Sequence, residues 1–156
     1  MELAAPYFED FSVGAVMRTM RRTLAEADML AFVQLTGLFE ELWLDADKAA
    51  RVGIAPGRLV PGYQTLAFAE GLVVVGGWMR NAVGMLGLTD VEWPAPLQCG
   101  DTIRAEVEVV QARATRNPER GLVVMRHRVL NQDDVTVLSY QSARLIRTRA
   151  KEAAPS

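Results

Sequence analysis

The chain of 156 residues contains one cysteine, Cys99, and one histidine, His127. A lone cysteine closes no intramolecular disulfide, and without a second histidine beside it no thiolate or imidazole metal cluster can be assembled, so no metal site is expected. Such cysteine usage suits a reducing compartment, and a cytoplasmic location is the expectation. A long hydrophobic run is missing too. The strongest, Leu66 to Met79, is interrupted by Glu70, Gly71, Gly76 and Gly77 and falls short of the roughly 20 residues of a membrane span. Residues 1–10 lack a basic stretch followed by an apolar one, so no secretory signal is expected. No internal repeat is visible. Uniform basic charge is absent as well: residues 1–103 carry 7 basic and 13 acidic side chains, and only residues 104–156 are cationic, with 10 against 6. The basic residues are not interleaved with aromatics, which argues against nucleic acid as a partner.

What remains is a chain half apolar and 23 % charged, able to bury one sizeable core. We read residues 1–149 as a single domain and 150–156 as a disordered tail. Thr23-Leu-Ala-Glu26 has the form of a capping box. Met29, Phe32, Val33 and Thr36 follow at helical spacing, and Gly37 is a suitable stop. A short second helix is expected from Asp45 to Val52. After Pro61-Gly62 an almost wholly apolar segment runs to Val75; a helix apolar on nearly every side must be wrapped by other structure. Gly71 and Gly76 within or at the end of it are expected to be packing glycines, because glycine in a helix interior costs about 1 kcal/mol relative to alanine.

Downstream the hydrophobic period changes to two. Ile103, Ala105, Val107 and Val109 alternate with Thr102, Arg104, Glu106 and Glu108; Val123, Met125, His127 and Val129 alternate likewise, and Val135 to Ile146 reads as a third strand. Asn131-Gln-Asp-Asp134 and Arg116 to Gly121 supply the turns. An enclosed helix followed by consecutive amphipathic strands predicts an α+β protein in which an antiparallel sheet wraps round one long apolar helix, the hotdog arrangement. An ordinary α+β sandwich gives similar signals.

Several segments resemble the MaoC-like hotdog hydratases and dehydratases, the (R)-specific enoyl-CoA hydratase type, over roughly Tyr7 to Arg147. They are Tyr7-Phe-Glu-Asp-Phe-Ser-Val-Gly14, Arg22 to Asp28 with Phe32 and Thr36-Gly37, Asp45-Ala-Asp-Lys-Ala49, Gly57-Arg-Leu-Val-Pro-Gly62, Pro96 to Thr102 and Asn131-Gln-Asp133. The resemblance implies a hotdog dimer, or a pairing with a catalytic hotdog chain. Its ligand would be an acyl thioester of coenzyme A or acyl carrier protein, with no cofactor beyond that carrier. The implied reaction is hydration of a trans-2-enoyl thioester or its reverse, which requires a base for water, an acid for C2 and donors for the thioester carbonyl. Family members place an Asp directly after the Thr-Gly, a His five residues further on and another Asp two residues later. Here those positions hold Leu38, Trp43 and Asp45.

Leucine moves no proton and an indole has no accessible acid–base pKa. Glu40 and Glu41, inside the altered loop beside Phe39 and Trp43, are therefore the candidate substitutes; the bland alternative is a pair of solvated glutamates bonded to Arg51 or Arg58. Gly62 matches the family glycine whose N–H points at the thioester carbonyl, and Leu38, Phe39, Trp43 and Asp45 complete the expected binding residues. His127 shares parity with its apolar neighbours and is expected to be a core histidine. Cys99 is expected to be an incidental thiol. Arg104, Arg113, Arg116, Arg120, Arg126, Arg128, Arg144 and Arg147 mostly fall on wet strand faces or in turns, where some are candidates for coenzyme A phosphates.

Overall fold

The computed structural model describes residues 5–149; the expected tail lies outside the described residues. A short 3-10 turn (Phe8–Asp10) leads into β1 (Val16–Arg18), β2 (Arg22–Thr23), α1 (Glu26–Thr36), α2 (Glu41–Leu44), α3 (Ala46–Val52) and α4 (Gly62–Val75). Then come β3 (Ala82–Glu92), β4 (Thr102–Ala114), β5 (Arg120–Leu130) and β6 (Thr136–Arg147). The strands form one antiparallel sheet in the order β1-β4-β5-β6-β3, with β2 also paired to β4. Its inner face packs on α4, and this is the hotdog arrangement.

The three long C-terminal strands match the period-two reading. On β4 the odd residues from Ile103 to Val109 are buried and the even ones point outward, where Glu106 accepts from Arg18 and Arg128. Those two arginines hold the Glu106 carboxyl below its ordinary pKa. At the β5–β6 turn the Asn131 side-chain oxygen accepts from Asp133 and Val135 N–H, and Asp134 adopts φ 62°, the left-handed region that Asp tolerates in turns.

The helical half departs from expectation at four points. Thr23 lies in β2 with its hydroxyl on that of Thr102, and the first helix is capped instead by Asp28, whose carboxylate accepts from Ala25 N–H at 2.9 Å. The helix ends at Gly37, with φ 70°. Strands β1, β2 and β3 were not legible as strands: the first two are very short, and β3 carries Gly84, Gly87 and three register shifts against β6, so its alternation is broken. Helix α4 spans the expected residues and buries Ala69, Leu72 and Val73, but it is not enclosed on every side. Tyr63, Ala67, Gly71, Val74 and Val75 form an exposed stripe. A side chain on Gly71 would meet nothing within 4 Å, so Gly71 is not a packing glycine within the chain, whereas Gly76 lies under the Met17 sulfur.

Candidate functional site

The N-terminus of α4 is the geometric centre of the site. Pro61 precedes the helix in an extended conformation, and the first helical bond runs from Thr65 N–H to the Pro61 carbonyl at 3.0 Å. The N–H groups of Gly62, Tyr63 and Gln64 therefore precede intrahelical bonding and carry the positive end of the helix dipole. Gly62 is placed by Trp93, just beyond β3: the Trp93 indole N–H donates to the Gly62 carbonyl at 3.1 Å. A Cβ on Gly62 would stand 3.0 Å from that indole. Any side chain here would have to displace the ring by a few tenths of an ångström.

A cavity of about 280 Å³ opens at this helix end, lined by Leu38, Glu40, Trp43, Pro61, Gly62, Tyr63 and Trp93. The loop after Gly37 and the short α2 bring Leu38, Glu40 and Trp43 to it. Arg58 holds Trp43 there. Its guanidinium donates to the Trp43 carbonyl and pairs with Glu26 of α1, while its own carbonyl accepts from Cys99 N–H at 2.7 Å. The Trp43 indole Nε1 is buried and has no hydrogen-bond acceptor among the described residues.

Of the residues singled out from sequence, Leu38, Glu40, Trp43 and Gly62 meet in this cavity, and the other three lie apart from its lining. Phe39 is 64 % exposed. Glu41 pairs with Lys48, the ion pair raising the lysine pKa; neither Arg51, which pairs with Asp47, nor Arg58 is its partner. Asp45 caps α3, accepting from Asp47 and Lys48 N–H at 2.9 and 3.0 Å. Burial pushes the Cys99 thiol up, away from nucleophilic character. No group of three or more His, Cys, Asp or Glu side chains able to hold a metal ion occurs among the described residues.

His127 is a core histidine as its parity implies, but its surroundings were not foreseen. It stacks on Tyr140 with centroids 4.2 Å apart and shares a 2.8 Å hydrogen bond with Ser142. Burial depresses its pKa to about 4, outweighing the nearby Glu70 charge. Tyr140 donates to Glu70 of α4 at 2.6 Å, and Arg144 pairs with the other oxygen of the same carboxylate. Burial first, and the Glu70 charge next, push the Tyr140 phenol well above its ordinary pKa. Arg144 is accordingly not on a wet face, unlike Arg104, Arg126 and Arg128, which pair on the outer surface. The signal was in the sequence: the alternation that buries Leu138 and Ile146 also turns Tyr140, Ser142 and Arg144 inward. Nothing in sequence pointed to Trp93 or Tyr63, since neither recurs at a spacing tied to the loop they close.

A sequence profile of the family described as "MaoC like domain" matches residues 10–130. The mesaconyl-CoA hydratase of Cereibacter sphaeroides is 30 % identical over 154 residues, covering 98 % of this chain and 44 % of that protein. The chain spans less than half the length of the curated relatives it matches. Among solved structures, a MaoC-like dehydratase from Rhodospirillum rubrum superposes with a TM-score of 0.81 at 25 % identity, covering 94 % of this chain and 99 % of that one. A Mycobacterium tuberculosis protein described as having a double hotdog fold gives 0.81 at 25 % identity, with 100 % and 48 % covered.

Proposed function

Because the chain belongs to the MaoC-like hotdog family of hydratases and dehydratases, we propose that it binds an acyl thioester of coenzyme A or acyl carrier protein at the N-terminus of α4. The observation that carries this reading is the open cavity at Gly62. Its free helix N–H groups favour the partial negative charge of a polarised carbonyl, and Leu38, Trp43, Tyr63 and Trp93 supply apolar walls for the adjoining carbons.

In our reading Leu38 and Trp43 stand where the family carries its Asp and His. The chain then polarises the thioester without the usual proton transfers, as a binding protein or as a partner subunit to a catalytic hotdog chain. A second reading makes it an active hydratase or dehydratase. It is favoured by one observation: Glu40 lines the same cavity, and a carboxylate at an apolar wall is a possible base. Glu41, tied to Lys48, and Asp45, tied to the α3 backbone, have weaker claims to chemistry. A filled, purely structural module is disfavoured because Leu38 and Trp43 line the cavity without closing it and Phe39 points away.

The same reading includes a homodimer. Strand β3 pairs only with β6 among the described strands, leaving an edge that exposes Val83, Met85 and Leu86. A second copy adding its β3 would pair the edge. Sedimentation of the wild type and of Leu86→Lys tests it, a monomeric wild type being the contrary result.

For the site itself, crotonyl-CoA and coenzyme A are titrated calorimetrically, and loss of the enoyl absorbance is followed in parallel. Tight binding of crotonyl-CoA with negligible turnover is expected. Turnover abolished by Glu40→Gln would establish the hydratase reading instead, and absence of both binding and turnover would make the chain a purely structural module.

A further inference from the structure

A second cavity lies away from Gly62. It measures about 860 Å³ and its lining includes Glu9, Val83, Glu119, Arg120, Arg147 and Arg149. Val83 stands near the start of β3, whereas Trp93, just beyond the end of that strand, lines the cavity at Gly62. A strand of 11 residues spans roughly 35 Å, so the two cavities occupy opposite ends of β3. The frame of this second cavity is fixed, because the turn between β4 and β5 is fastened to the end of β6. Thr148 N–H donates to the Glu119 carbonyl at 2.9 Å, and its hydroxyl donates to the Pro118 carbonyl at 2.8 Å. Within the turn, Glu119 N–H donates to the Asn117 side-chain oxygen at 2.9 Å.

The arginines of this cavity are not equivalent. Arg149 is engaged: its guanidinium pairs with Asp10, and its backbone N–H donates to the Glu9 carboxylate. Arg120 and Arg147 stand directly opposite each other in the register of β5 with β6, and like charges so placed destabilise a sheet. Neither has an ion-pair partner among the described residues. The Arg147 guanidinium donates to the Asn81 side-chain oxygen at 2.8 Å, a neutral acceptor that leaves its charge uncompensated. Elsewhere in the same sheet Arg104, Arg126 and Arg128 each face a carboxylate. The opposed pair at the β4–β5 turn therefore departs from the pattern by which this sheet matches its cations.

We propose that Arg120 and Arg147 form a binding site for a phosphate monoester in this cavity. Cross-strand neighbours stand about 5 Å apart at their Cα atoms, close enough for two guanidinium groups to converge on one anion. Two cations are matched by a dianion. A phosphate monoester carries about −1.5 to −2 charge near neutral pH and three strong acceptor oxygens, which suit bidentate arginine contacts; a carboxylate brings one charge and two oxygens. The Glu119 carboxylate, which has no ion-pair partner among the described residues, lines the same cavity and opposes the ligand. The site is independent of the reading of Gly62. Its chemistry is shared by two sources, the 3′-phosphate of coenzyme A and a free phosphate ester, which the test separates.

Glycerol 3-phosphate, coenzyme A and 3′-dephospho-coenzyme A are titrated into the full chain by calorimetry, with acetate as the carboxylate control. At least one of the two monoesters is expected to bind, and acetate is not. Arg120→Gln and Arg147→Gln should each weaken that binding ten-fold or more, while Glu119→Gln should tighten it several-fold. Arg120 is exposed, so Arg120→Gln is expected to keep the fold by circular dichroism, and the result does not depend on the Arg147 variant being stable. A coenzyme A that binds ten-fold more tightly than its dephospho form, with the difference erased by Arg120→Gln, identifies the coenzyme as the source. Binding of glycerol 3-phosphate with the two coenzymes alike identifies a free ester. Absence of binding by both monoesters at millimolar concentration would overturn the proposal. So would binding that survives the arginine substitutions, or acetate binding as tightly as the monoesters.

Discussion

Trp93 and Gly62 are matched by absence of a side chain: the indole donates to the Gly62 carbonyl at 3.1 Å and occupies the space into which a Cβ would project. This contact joins the end of β3 to the start of α4 and forms one wall of the cavity. Gly62→Ala must push the ring aside by a few tenths of an ångström. Because Trp93 is half exposed, it can move, and the stability change should stay below about 1 kcal/mol. Its fluorescence should shift and acyl-thioester affinity should fall. Emission and binding identical to wild type would show that the ring does not need the glycine.

His127 should make the protein acid-sensitive. Its folded pKa is lowered from 6.5 to about 4 by burial, so below pH 6.5 the unfolded chain takes up a proton that the folded chain refuses. The group's contribution is intact above pH 6.5 and is lost as pH falls towards 4, on the order of 3 kcal/mol in all. Denaturant unfolding across that window should show a steeper decline for wild type than for His127→Phe. Parallel curves would contradict a neutral buried imidazole.

Arg58 ties Trp43 at the cavity to α1 and to the loop before β4. With its backbone fastened to the loop before β4 and its side chain on Trp43 and Glu26, Arg58→Ala should cost about 1–2 kcal/mol. The more specific consequence is local: limited proteolysis between Gly37 and Gly53 should accelerate. Unchanged cleavage in that segment would mean the clamp does not hold it.

Gly71 offers a gain. With open space where its Cβ would be, Gly71→Ala should add roughly 0.5–1 kcal/mol through helix propensity, a rise of about 1–4 °C in Tm. Thermal unfolding checks it, and a lower Tm would indicate a second copy packed against that stripe. Gly76→Ala, facing the Met17 sulfur at 3.0 Å, is expected to lower Tm.

Periodicity and punctuation determined much of this protein before any coordinates. Pro61-Gly62 and the apolar run marked the start and course of α4, the odd–even patterns marked β4, β5 and β6, and Asp45 marked the start of α3, because each is a local preference that the tertiary structure reinforces. Sequence spacing also brought Leu38, Glu40, Trp43 and Gly62 together as candidates, through their order along a family pattern. Tertiary structure alone decided the remainder. Whether an acid lines the cavity or spends its oxygens elsewhere separated Glu40 from Glu41 and Asp45, and that depends on Lys48 and on backbone N–H groups whose competition no spacing displays. Trp93 reached Gly62 from 31 positions away, and Glu70 met Tyr140 and Arg144 across 70 or more. Contacts of that separation arise only once the sheet has curled around the helix, since a side chain's partner across a fold is set by register and layer packing rather than by its neighbours in the chain.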